Sequence, residues 1–104
     1  MSADAVLRAI AEPQRRRILS LVRDGELAAG EIADQFDITP QAVSQHLRVL
    51  KDAGLLSERR AGTRRLYALR PEAIEPVRAF LEELWPTSLQ RLKRVVEADR
   101  AKRR

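Results

Sequence analysis

Residues Ile38 to Gly54 constrain this chain most, because they spell out one helix with both ends marked and two chemically opposite faces. Thr39 suits the N-cap, where its hydroxyl accepts from an otherwise unpaired backbone N–H. Pro40 follows at the first helical position, where a missing N–H costs nothing. Gly54 stands where a left-handed residue ends a helix. Wound at about 100° per residue, the segment gathers Val43, Leu47 and Leu50 on one side. Gln41, Ser44, Gln45, Arg48 and Lys51 gather on the other, with Asp52 as the lone carboxylate.

The apolar side is core. The polar side offers amides, a hydroxyl and two cations. Glutamine pairs bidentately with adenine, arginine with guanine, and serine with either, so this face suits base edges and phosphates. The alternative is a plain solvated face, although such faces usually mix both charge signs more evenly. The rest of the chain decides between them.

At 104 residues the chain is expected to be a single domain, with a thin core that favours an oligomer. Its formal charge of +5 points to a polyanionic partner, nucleic acid or an anionic surface. The charge is uneven: residues 55–70 carry a net +4 and residues 90–104 a net +5, while residues 1–54 come to −1 and residues 71–89 to −3. The basic excess therefore lies in patches. No apolar run reaches the ~18 residues of a membrane span, and the N-terminus lacks the pattern of a secretory signal. With no Cys there is no disulfide or thiolate metal site, and the cytoplasm is the expected compartment.

In chain order, Val6, Leu7 and Ile10 give residues 4–11 a helical stripe. Pro13 opens a second helix with Ile18, Leu21 and Val22 inward. Arg15, Arg16 and Arg17 crowd its first turn, where the helix dipole disfavours cations. They read either as solvated arginines paired with carboxylates or as phosphate contacts. Residues 30–36 make a third short helix with Ile32 and Phe36 buried. Its short turn into the Thr39-capped helix completes a helix-turn-helix pattern.

After Gly54, residues 55–60 and 64–69 flank Ala61-Gly62-Thr63 and read as a β-hairpin, with Tyr67 and Leu69 on its inward face. Arg59, Arg60, Arg64 and Arg65 lie near its tip. A hairpin directly after a reading helix is a wing, whose arginines reach phosphates or a minor groove. The alternative is a charged edge that protects the strands, but four like charges at one tip repel unless an anion comes.

Residues 71–98 read as a long helical region, with Val77, Leu81, Leu84, Trp85, Ser88, Leu92, Val95 and Val96 in a stripe. Pro86 predicts a kink or break near residues 82–85. A second copy of the chain is the expected cover for this stripe, with the first helix helping. The candidate dimer contacts are Val6, Leu7, Ile10, Val77, Leu81, Leu84, Trp85 and Leu92. The alternative is a helix folded back on its own domain. Residues 99–104 are expected to form a disordered basic tail.

Enzyme chemistry finds little support. His46 is the only histidine and sits at the edge of an apolar face, where a packed helix residue is the plainer reading than a ligand or base. The four glycines are isolated, so there is no phosphate-binding loop. One His without Cys builds no zinc site. No cofactor is expected. A membrane-surface role for the last helix is weakened by Glu82, Glu83, Glu97 and Asp99.

Specific residues then carry a resemblance. Residues 11–19 (AEPQRRRIL), 30–33 (GEIA), 43–56 (VSQHLRVLKDAGLL) and 65–69 (RLYAL) resemble the arsenical-resistance-repressor (ArsR/SmtB-type) family of bacterial winged-helix regulators. The resemblance spans roughly residues 4–85, and the Ser44-Gln45-His46-Leu47 run before Gly54-Leu55-Leu56 is its most specific part. It implies a mainly α winged helix-turn-helix fold, α-α-α-α-β-β-α with a small hairpin. It also implies a homodimer paired through first and last helices, a palindromic double-stranded DNA operator, and usually repression. Members read DNA with the helix that here carries Gln41, Ser44, Gln45 and Arg48, and reach the flanking backbone with the wing, here Arg60 to Arg65. Metal-sensing members carry paired cysteines where this chain has Ala28 and Gly30, and residues 71–104 hold no His for a second sensor site. No metal response is expected at those places.

The expected function is thus a dimeric, sequence-specific DNA-binding regulator. Its candidate DNA contacts are Thr39, Gln41, Ser44, Gln45, Arg48, Lys51, Arg60, Arg64 and Arg65. A winged-helix module that binds RNA or another protein is the alternative. The inducer and the operator sequence are not legible.

Overall fold

The computed structural model describes residues 2–102, apart from the side chains of residues 86–89. Helix α1 (Ala3–Ile10) starts at Ser2, whose hydroxyl accepts from the Ala5 N–H at 3.1 Å. Helix α2 (Pro13–Leu21) starts at Glu12, whose carboxylate accepts from the Arg15 N–H at 3.0 Å. Strand β1 (Leu27–Ala28) leads directly into α3 (Ala29–Ala33), where Glu31 accepts from the Ala28 N–H at 3.0 Å.

Helix α4 (Pro40–Asp52) has the ends its sequence announces. Thr39 Oγ1 accepts from the Ala42 N–H at 3.1 Å. At the other end Gly54 takes a φ of +84°, and the Leu55 and Gly54 N–H groups donate to Leu50 and Lys51 carbonyls at 2.9 and 3.0 Å. That pair of reverse bonds is a Schellman motif, which turns the chain sharply out of the helix. The chain enters the hairpin at once: β2 (Leu56–Ala61) pairs antiparallel with β3 (Arg64–Leu69), with Ala61 opposite Arg64 and Gly62 at φ +66° in the tight turn.

The hairpin is the larger part of a three-stranded sheet, ordered β1-β3-β2. Leu27 lies opposite Tyr67 and Ala28 opposite Leu66. This third strand extends the expected α-α-α-α-β-β-α order. Two residues are too few to show a period of two, so β1 exists only because β3 offers it an edge. The core forms where α3 and α4 pack on this sheet and α1 and α2 pack on α4, around Val6, Ile18, Ile32, Val43, Leu47, Leu50, Leu56 and Tyr67.

The expected long helical region is divided. A 3-10 turn (Pro71–Ile74) leads into α5 (Glu75–Leu84), and α6 (Pro86–Lys102) follows. The break is complete at Trp85, which leaves the helical region at φ −129°, ψ 52°. Pro86 forces this, since its ring crowds a preceding residue held in the α conformation. Residues 99–102, expected as the start of a disordered tail, continue α6, consistent with the good helix formers Ala98, Arg100, Ala101 and Lys102. The rest of that tail, Arg103 and Arg104, lies outside the described residues, as does the Ser88 side chain of the expected stripe.

Candidate nucleic-acid interface

Helix α4 buries Val43, Leu47 and Leu50 almost completely and leaves Gln41, Ser44, Gln45, Arg48 and Lys51 exposed. A shallow groove of about 430 Å³ runs along this outer face, lined by Pro40, Gln41, Ser44, Gln45 and Arg48. Among the described residues, these four polar side chains have no hydrogen-bond partner within the chain, so their donors and acceptors are available to a ligand. Thr39, at the start of the helix, uses its oxygen as the cap acceptor and keeps its O–H to donate.

His46 fixes the helix on its scaffold. Its Nε2 lies 3.0 Å from Gln14 Oε1, and its Nδ1 lies 3.5 Å from the Arg15 guanidinium and 3.9 Å from Glu12. With Nε2 donating to the amide oxygen, Nδ1 is left to accept from Arg15. The ring is therefore a packed link between α4 and α2.

The arginines of α2 have partners within the chain that neither reading named, although Arg16 and Arg17 stay exposed. Arg15 donates to the Ala9 and Arg8 carbonyls at 2.6 and 3.0 Å, and Arg16 to the Ile10 carbonyl at 2.7 Å. These are the last carbonyls of α1, unpaired in that helix and at the negative end of its dipole. Arg17 stacks over the Phe36 ring at 4.7 Å. Two of the three arginines thus cap the preceding helix. Periodicity along α2 carries no sign of this, because the acceptors belong to another helix.

The wing is less bare than its sequence suggests. Arg59 makes a two-point ion pair with Glu26, both contacts at 2.7 Å, and Arg64 meets Glu31 at 2.6 Å. Arg65 lies 4.0 Å from Glu58. Among the described residues Arg60 and Arg48 have no carboxylate partner. The tip's like charges are therefore offset from within the chain, by carboxylates on β2 and around β1 and α3. The hydrogen bond from Arg59 outweighs partial burial and holds the Glu26 carboxyl below its usual range.

Glu58 was not among the sequence candidates. It accepts from Lys51 at 3.3 Å and from the Tyr67 hydroxyl at 3.1 Å, beside Arg65. Burial raises its carboxyl, but the Lys51 and Tyr67 hydrogen bonds and the Lys51 and Arg65 charges outweigh that and hold it below its usual range. Burial and the Glu58 charge push the Tyr67 hydroxyl up. The one available signal was that Glu58 is the only carboxylate in residues 55–70.

A Helix-turn-helix domain family matches residues 10–59. The chain is 38% identical to the HTH-type transcriptional regulator Rv2034 of Mycobacterium tuberculosis over 94% of its own length and 92% of the relative's. A possible transcriptional regulator for arsenical resistance, known from its crystal structure, is 41% identical over 83% of this chain and 90% of that one, with a TM-score of 0.69. The chain belongs to the ArsR/SmtB-type family of winged helix-turn-helix transcriptional regulators. It is also 39% identical to the transcriptional repressor SdpR of Bacillus subtilis, over 67% of the chain and 78% of the repressor. The fold is similar to a homodimeric winged helix-turn-helix DNA-binding domain from Mycobacterium bovis, solved by NMR. There the TM-score is 0.63 and the identity 31%, over 83% of this chain and 80% of that one.

Within this ArsR/SmtB-type chain, the expected dimer contacts divide. Val6 and Val77, at 0% and 5% exposed, belong to the core of the chain itself. They face inward because α1 and α5 pack against each other. Ile10 is half-buried against the same core. Leu7, Leu81, Leu84, Trp85 and Leu92 are exposed, with Leu84 and Trp85 about half uncovered. The places of the metal sensors' cysteines hold Ala28, a buried strand residue, and Gly30, in α3. Among the described residues no group of three or more carboxylate or imidazole side chains is placed to hold a metal ion, and no helix is long and apolar enough to cross a membrane.

Proposed function

We propose that this chain is a homodimeric regulator that binds a palindromic operator in double-stranded DNA and represses transcription in the cytoplasm. The outer face of α4 carries the reading: Gln41, Ser44, Gln45 and Arg48 stand unengaged on the side opposite a packed core. These groups supply base readout. Lys51, Arg60, Arg64, Arg65 and the Thr39 hydroxyl supply phosphate contacts, and with them most of the salt-dependent affinity. In this reading the exposed Leu7, Leu81, Leu84, Trp85 and Leu92 are covered by the second copy. Two α4 helices then enter successive major grooves about 34 Å apart.

Footprinting the purified protein on its own upstream DNA tests the proposal, with random duplex and RNA as competitors. A protected palindrome displaced only by the same sequence supports it. Equal displacement by RNA, or protection without sequence preference, favours the alternative RNA- or protein-binding module. The same footprint with added zinc and with a chelator is expected to be unchanged.

A further inference from the structure

Glu58 occupies an unusual place for a carboxylate. A cleft of about 310 Å³ separates the outer face of α4 from the wing, and Ser44, Arg48, Lys51, Glu58, Arg65 and Tyr67 line it. Three of those side chains are cations on the proposed DNA-facing side. Glu58 lies among them, holds Lys51 at 3.3 Å, stands 4.0 Å from Arg65, and is anchored by the Tyr67 hydroxyl at 3.1 Å. Tyr67 is itself buried, so the carboxylate is tied to the core rather than to a mobile surface. A phosphate that enters this cleft must take Lys51 and Arg65 from Glu58 and tolerate its negative charge.

We propose that Glu58 is a specificity-determining residue, an electrostatic brake that withholds Lys51 and Arg65 from DNA until base contacts along α4 bring the backbone into register. This rests on the DNA-reading function proposed above. Non-specific binding comes almost wholly from phosphate contacts. An internal carboxylate that competes for two of those cations therefore lowers random binding more than operator binding. On the operator, Gln41, Ser44, Gln45 and Arg48 fix where the phosphates lie, and the exchange of partners is offset by base contacts. Specificity then arises from a repulsive element beside the attractive ones.

The test compares wild type with Glu58→Gln on operator and on random duplex across a salt series. Gln is nearly isosteric and still accepts from Tyr67, but it carries no charge. The expected result is tighter random binding with a salt slope steeper by about 1 to 2, since each freed cation adds about 0.9. The operator-to-random ratio falls by roughly tenfold, comparable with one mismatched base pair. Glu58→Asp, which keeps the charge and shortens its reach, shows both shifts in smaller measure. Adding Lys51→Met to Glu58→Gln returns the random-duplex slope toward wild type. A merely structural role predicts lower stability and a proportional loss on both DNAs. Equal factors on both, or an unchanged slope on random duplex, overturns the inference. If wild type prefers no duplex sequence, the reading of α4 fails instead, and the random-duplex slope still decides on the brake.

Discussion

Arg59 and Glu26, 33 residues apart, meet in a two-point ion pair that joins the wing to the segment just before β1. Both are exposed, so the pair acts through geometry more than through stability. Arg59→Ala is expected to leave the core intact and to speed amide hydrogen exchange in β1 and the outer hairpin, read residue by residue by NMR.

The same pair sets a pH dependence. The Glu26 carboxyl is held below its ordinary value of 4.5 by Arg59. A lowered folded-state value means stabilisation present above the unfolded value and lost as pH falls through the folded one. Wild type should therefore exceed Glu26→Gln in stability at neutral pH. The gap should begin to close below about 4.5 and vanish in stronger acid. Denaturant melts of both proteins across that range measure it, and a constant gap would sink the assignment.

Arg15 caps α1 through the Arg8 and Ala9 carbonyls, and its expected role is there rather than at DNA phosphates. Arg15→Ala removes its bonds to the Arg8 and Ala9 carbonyls. It is expected to cost roughly 1–3 kcal/mol of stability while the salt slope of DNA binding stays as in wild type. A slope lowered by about 1 would return Arg15 to the DNA interface.

Base readout and phosphate contact separate by their response to sequence. Gln45→Ala should cost about 1–3 kcal/mol on the operator and little on random duplex. Arg60→Ala should weaken both alike and lower the salt slope by about 0.9. Arg64→Ala should lower it less, because Glu31 already engages that guanidinium. Quantitative binding titrations on the two duplexes check all three.

Trp85 is the only tryptophan in the chain and is about half exposed in the monomer. If the second copy covers it, its emission should shift to the red on dilution through the dimer dissociation range. Trp85→Ala should weaken the dimer by at least about tenfold, as for a buried aromatic anchor. Sedimentation at several concentrations provides the independent check.

Much of this protein was decided locally. The α4 helix needed only Thr39, Pro40, Gly54 and a 3.6-residue period to declare its ends and its two faces, because caps and amphipathicity act within a few residues. The hairpin around Gly62 and the break at Pro86 follow from backbone sterics at single positions. Tertiary structure decided what depends on residues far apart. Strand β1 exists because β3 presents an edge, Arg15 and Arg16 cap a helix other than their own, and Val6 and Val77 turned out to be core. Glu26, Glu31 and Glu58 came to face the wing arginines only once the fold set them within ion-pairing reach. An ion pair depends on distance in space, and a one-dimensional period carries no record of that distance.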